Sequence, residues 1–138
     1  MMETIEKSKL PAIVVGEQDY EQLIDLAVAA QARAPESAGS LLFELERATV
    51  VQGDAVPPGV VRLGSTVTYQ ADAGAPRRVT LVLPAAADIS SGRISVLTPI
   101  GAALIGLRVG QSIAWSARDC KRHRLQVLSV RPAGDAGC

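Results

Sequence analysis

The sequence predicts an α+β fold, and three observations carry that prediction. The first half of the chain spaces its apolar residues as helices do. The second half alternates apolar and polar residues as strands do. A stretch dense in glycine and proline, GDAVPPGVVRLGS (53–65), lies between them. We divide the chain there, into an N-terminal arm (1–53) and a β-rich body (54–138). With 138 residues, the chain fits one domain or one domain with a small appendage, large enough to bury a core without staples.

The elements follow in order. PAIVVG (11–16) is a short β-branched run that reads as a strand or extended lead-in. EQDYEQLIDLAVAAQAR (17–33) reads as a helix: Tyr20, Leu23, Ile24, Ala27 and Ala30 share one face, and Glu17, Asp19 and Glu21 crowd the dipole-positive first turn. Gly16 is an acceptable N-cap. Pro35 and Gly39 in APESAG read as a break, so a second helix is expected at 40–50, with Ser40 as its N-cap. Two helices so joined form a short antiparallel hairpin, with arms of about 25 and about 17 Å at 1.5 Å per residue.

Beyond the boundary, period-2 segments at 65–70, 77–84, 93–97, 112–116 and 124–130 read as strands of a mostly antiparallel sheet. One short helix interrupts them within LTPIGAALIGLRVG (97–110). Thr98 is a good N-cap, Pro99 fits N1, and Gly106 fits the left-handed C′ position. About two turns cannot stand alone in water, so the sheet must support this helix through Ile100, Ala103, Leu104 and Leu107.

Composition narrows the function classes. No apolar run approaches the ~20 residues of a membrane span, and no membrane partner is expected. The N-terminal MMETIEKSKLPAIVV carries acids and has no apolar leader core, so no signal peptide is expected. Cys120 and Cys138 lack metal-ligand spacing, which favours a reduced, cytoplasmic setting. Net charge is zero but unevenly spread. Between Gly16 and Gly53, Glu17, Asp19, Glu21, Asp25, Glu36, Glu44 and Glu46 face only Arg33 and Arg47. In the body, Arg62, Arg77, Arg78, Arg93, Arg108, Arg118, Lys121, Arg122, Arg124 and Arg131 outnumber the aspartates. Such asymmetry suits two surfaces with different neighbours, although two ordinary solvated faces are the plainer account.

No enzyme constellation is evident. His123 is the only histidine and lies in the basic turn RDCKRHR (118–124), with nothing marking a serine or Cys120 as its nucleophilic partner. Neither a metal site nor a cofactor is expected, because a second histidine and Cys/Asp spacing are lacking. GAALIG matches no phosphate-cradling loop, so no small-molecule substrate is expected. The basic turn lacks interleaved aromatics, which weakens the case for a sequence-specific nucleic-acid site.

RISVLTPIGAALIGLRVGQSIAW (93–115) resembles the C-terminal domain of the bacterial Gre transcript-cleavage factors, and VVRLGSTVTYQ (60–70) resembles the strand that follows their linker. Over nearly its full length the chain is most similar to the regulator of nucleoside diphosphate kinase family, which are Gre relatives. The resemblance implies an FKBP-like body that docks on RNA polymerase at the secondary channel. It also implies a helical hairpin that enters the channel, with room for indirect contact with nucleic acid in the transcription complex. The implied docking residues are Leu97, Thr98, Pro99 and Ile100. Gre factors often carry Asp or Asn where Leu97 stands, so one polar contact of the family is missing here. They also carry two acids at the hairpin tip that help hold a catalytic Mg²⁺, a task that suits paired carboxylates. This tip, RAPESAGS (33–40), has Glu36 alone. The resemblance with that departure implies a channel-binding competitor that is not itself an enzyme and does not stimulate cleavage. Two other expectations are a regulator that binds nucleoside diphosphate kinase or another metabolic enzyme, and a prolyl isomerase. The isomerase would need an aromatic-walled pocket from Tyr69 and Trp115.

Overall fold

The computed structural model describes residues 12–72, 74–116 and 122–132. The chain begins with strand β1 (Val14–Gly16), helix α1 (Glu17–Ala30), helix α2 (Pro35–Glu46) and strand β2 (Thr49–Val51). β1 and β2 pair in parallel, with Val14 opposite Thr49. This pairing ties the start of α1 and the end of α2 to one end of the helix pair. Leu23, Ala27 and Ala30 of α1 and Ala38, Leu41 and Leu45 of α2 are buried.

The second helix, Pro35–Glu46, starts and ends earlier than the 40–50 that its apolar spacing predicts. Pro35 is not a breaker there; it occupies the first helical turn, where a missing N–H costs no hydrogen bond. Gly39 and Ser40 are therefore inside α2, and Ser40 is not its cap. Thr49 and Val50, expected as the end of that helix, instead form a strand with Val51, because these β-branched residues find β1 as a partner. α1 ends at Ala30, whose carbonyl accepts the N–H groups of both Arg33 and Ala34.

The body is a five-stranded sheet in the order β5-β4-β3-β7-β6. Its strands are β3 (Thr66–Ala71), β4 (Arg77–Val82), β5 (Arg93–Ser95), β6 (Ser112–Ser116) and β7 (Arg122–Arg131). The sheet is mixed, not wholly antiparallel: β5 runs parallel to β4, with Leu81 opposite Ile94. Residues 83–92 make the reversal possible by carrying the chain back through two 3-10 turns, Pro84–Ala86 and Ile89–Ser91. The N–H of Val96 then donates to the carbonyl of Val82 at 2.9 Å, which extends the parallel pairing past β5. A register shift in β3 between Thr68 and Tyr69 marks a bulge against β7.

Helix α3 (Pro99–Leu104) leaves β5 through Val96, Leu97 and Thr98. It packs against α2 and β6. One core runs through both halves of the chain, joining Ile13, Leu23 and Leu41 to Val61, Leu81, Leu104 and Leu125. Most of the basic turn 118–124, with Cys120, lies outside the described residues, as does Cys138. No helix of the described residues is long and apolar enough to cross a membrane.

Candidate functional site

The strand-to-helix step at 95–101 is built by a small set of internal hydrogen bonds. The Thr98 hydroxyl accepts from the Gly101 N–H at 3.0 Å and donates to the Ser95 carbonyl at 2.7 Å. The Ser95 hydroxyl in turn accepts the Leu97 N–H at 3.0 Å. Thr98 is thus a true N-cap with Pro99 behind it, as Thr-Pro predicts. Gly101 is required for a reason that its place in the sequence does not reveal. A Cβ there would run into the Ser95 carbonyl and approach the Val96 Cα to 2.9 Å. The turn is so tight that backbone fills the space a side chain would need.

The four residues singled out from the sequence sit together on this step, and all are half-buried. Leu97 and Ile100 pack against the core. The Thr98 hydroxyl is engaged on both sides. What the step offers a partner is therefore a rigid, largely apolar contour with Pro99 at its bend. Ser95 and Gly101 hold that contour, and the Thr-Pro motif by itself points to neither. The one signal available for them was a glycine at N3 of a helix too short to tolerate one for nothing.

The far end of α3 is fixed to the helical pair. Gly106 has φ +82° and lies against β1, where a Cβ would meet the Ile13 Cβ at 2.8 Å. Its carbonyl accepts the Val14 N–H at 3.2 Å, and the Gly106 N–H donates to the Val61 carbonyl at 3.0 Å. A second tie comes from Arg62, whose Nε lies 3.3 Å from the Asp19 carboxylate while Nη1 donates to the Gly53 carbonyl at 3.2 Å. The strand-to-helix step and the base of the helical pair are therefore one mechanical unit.

At the other end, Glu36 stands exposed in the first turn of α2, beside the loop 31–34. It is the one acid between Asp25 and Glu44. The described residues hold no group of three or more His, Cys, Asp or Glu side chains placed to bind a metal ion. Elsewhere on α2, Glu44 is buried and receives Arg47 Nη2 at 2.6 Å and Nε at 3.0 Å. Burial pushes its carboxyl above the ordinary carboxylate value, against the opposing pull of Arg47. His123, the sole histidine, lies 2.7 Å through Nδ1 from the Asp72 carboxylate. The Arg124 backbone N–H and then His123 hold Asp72 below its ordinary range. Tyr69, one wall of the imagined isomerase pocket, is buried in the core at 3% exposure. The other wall, the Trp115 side chain, lies outside the described residues.

Comparison with known proteins now gives this geometry a context. The transcription elongation factor GreA/GreB C-terminal domain matches residues 56–132. The Rnk N-terminus matches residues 11–51. The regulator of nucleoside diphosphate kinase of Escherichia coli K12 is 38% identical over 122 residues, spanning 87% of this chain and 89% of that protein. The chain belongs to the GreA/GreB transcription elongation factor family. The GreA/GreB factor of Nitrosomonas europaea has a solved structure that superposes with a TM-score of 0.69 at 33% identity, covering 86% of this chain and 98% of that one. GreA of Chloroflexus aggregans is 43% identical over 70 residues, half of this chain and 45% of its own length. GreA/GreB family members are regulators and transcription factors, not enzymes. The strand-to-helix step lies inside the family's C-terminal domain, and the helical pair lies inside the Rnk-type N-terminal segment.

Proposed function

We propose that this chain is a non-catalytic regulator that docks on RNA polymerase at the secondary channel, through the contour of Leu97, Thr98, Pro99 and Ile100. In this reading residues 54–138 form an FKBP-like body, and residues 1–53 form an antiparallel helical arm that enters the channel. The arm competes there with other factors and does not stimulate transcript cleavage. One observation carries the last point: the end of the helical pair bears Glu36 alone. A single carboxylate is a poor holder for a hard divalent cation, which takes several oxygen ligands. The pair is also short, about 21 and about 18 Å for its two helices at 1.5 Å per residue. Family membership and the rigidity of the step support the docking mode.

Two measurements test this. On backtracked polymerase complexes the protein should leave the transcript intact and should suppress cleavage by an added GreA; robust cleavage by the protein alone would overturn the reading. Pro99→Asp should weaken polymerase binding about tenfold or more with an unchanged circular dichroism spectrum, because an acid at N1 suits the helix dipole and leaves the cap in place. Unchanged affinity would remove the step from the interface.

A second reading rests on the identity to the regulator of nucleoside diphosphate kinase. Here the partner is that kinase or another metabolic enzyme. Affinity capture with the intact chain separates the two: enrichment of a kinase without polymerase would favour the second.

A further inference from the structure

The five-stranded sheet has two unlike faces. Val67, Tyr69, Leu81, Ile113, Leu125 and Val127 turn inward and are buried in the core. The alternate positions turn outward, and the strand register sets them in rows. Arg93, Thr80, Thr66 and Arg131 stand side by side across β5, β4, β3 and β7, with Arg78, Thr68 and Ser129 in the row beside them. Gln70, Gln126 and Ser112 follow, and then Arg124 opposite Ala114. Every base on this face is an arginine, and none of the five strands contains an Asp or Glu. Arg78, Arg93, Arg124 and Arg131 are all exposed.

The acids near this face do not neutralise it. Asp88 reaches Arg93 only at 3.7 Å, and Asp72, just past β3, is taken up by His123 and the Arg124 backbone N–H. Among the described residues the side chains of Arg78 and Arg131 have no ion-pair partner. Arg124 Nη2 donates to the Ser112 hydroxyl at 2.8 Å, which fixes the guanidinium and leaves its charge unpaired. Arg93 and Arg131 are three strand spacings apart, about 14 Å at about 4.8 Å each. The charges therefore frame a broad surface, which suits an extended polyanion better than a single phosphate. We propose that the outer face of this sheet binds the sugar–phosphate backbone of a nucleic-acid duplex without reading its sequence. Arginine with serine, threonine and glutamine is the side-chain set that contacts phosphate and sugar, and the guanidinium fork matches phosphate oxygens. None of the outward positions is aromatic, so the face has no platform for stacking unpaired bases. A flat sheet face sends no element into a groove, so base edges stay unread. An acidic protein is the poorer occupant, because the centre of a protein interface is depleted of charge and rich in aromatics. Leu128, in the bulge, is the one exposed large apolar side chain of these strands among the described residues.

The test needs neither polymerase nor kinase, so its outcome is separate from theirs. The probe is a fluorescent DNA duplex of random sequence, about two helical turns long, titrated with the full-length protein and followed by anisotropy. Binding should fall in the range of about 10⁻⁴ to 10⁻⁶ M, with a slope of log affinity against log salt near −3 for contacts from Arg78, Arg124 and Arg131. Arg78→Gln combined with Arg131→Gln should weaken binding about tenfold or more and remove about two units of that slope. Both side chains are exposed, so the circular dichroism spectrum and melting temperature should not change. Arg33→Gln combined with Arg108→Gln takes the same charge from loops outside the sheet and should leave affinity and slope as they were. Undiminished binding by the first double variant, or an equal loss in the second, would overturn the proposal. So would poly-glutamate binding as tightly as the duplex, which would assign the face to an acidic protein. Tighter binding of the unpaired strand than of the duplex would also overturn it.

Discussion

Helices α2 and α3 both begin with proline and both hold a glycine in their interior, yet they are stabilised in opposite ways. α2 has twelve residues and no side-chain cap: Ala34 precedes Pro35 and bonds nothing with its side chain. Its Gly39 faces open space. α3 has six residues, a Thr98 cap bonded on both sides, and Gly101 wedged against backbone. A long helix draws its stability from the face it buries and can be careless at its end and along its outer side. A helix of under two turns cannot, because nucleation is unfavourable and few hydrogen bonds follow it. The difference separates a part of the molecule built to hold one shape from a part whose outer surface is left available.

The largest effect that this contrast predicts is at Gly101. Gly101→Ala forces a Cβ into the Ser95 carbonyl, and the obstacle is backbone, which does not swing aside as a long side chain does. We expect a loss of about 3 kcal/mol in urea unfolding, at the upper end of ordinary overpacking. A variant as stable as the parent would mean that the step relaxes freely and that α3 is not pinned. Next in size is Thr98→Ala, which removes the acceptor for Gly101 N–H and the donor to Ser95 at once. A loss of about 1–2 kcal/mol is expected, while Thr98→Ser should retain most of the stability. Parity between the alanine and serine variants would show that the methyl group, not the hydroxyl, matters.

The sign reverses on α2. Gly39→Ala should stabilise the protein by about 0.5–1 kcal/mol, since the helix gains propensity and the new methyl meets no neighbour. Destabilisation in urea unfolding would show that the space above Gly39 is filled.

Much of this architecture is legible in the sequence, and the failures share a cause. α1 follows from Tyr20, Leu23, Ile24, Ala27 and Ala30, because one continuous stripe fixes both the helix and its buried face. The start of α3 follows from Thr98-Pro99, because a cap and an N1 proline are local chemistry. The start of α2 was misplaced because Pro35 and Gly39 are ambiguous by themselves. Proline opens helices as readily as it ends them, and glycine inside a helix is uncommon but allowed. The direction of β5 is invisible because a period of two has no polarity. β2 escaped detection because three residues make a strand only through the partner they pair with. The strand-to-helix step could be located from its motif, but Ser95 and Gly101 gain their structural roles from a close approach that only three dimensions show.

The smallest predicted effect is a slope, and it also divides the two helices. α3 contains no ionisable side chain, whereas α2 buries Glu44 against Arg47. The carboxyl of Glu44 is raised above its ordinary 4.5, chiefly because burial disfavours the charged form, with Arg47 opposing through its charge and hydrogen bonds. A carboxyl with a folded-state pKa above its unfolded value binds more protons folded than unfolded. Stability therefore falls as pH climbs from the ordinary carboxylate value through the raised one, and levels off above it. Glu44→Gln should remove this contribution and leave a flatter stability profile across that window, at the expense of a weaker partner for Arg47. The measurement is urea unfolding of both proteins at a series of pH values from the ordinary carboxylate range to neutrality. If the parent instead gains stability relative to Glu44→Gln as pH rises through that window, Arg47 outweighs burial, and the pair is a net stabiliser of the helix end that leads into β2.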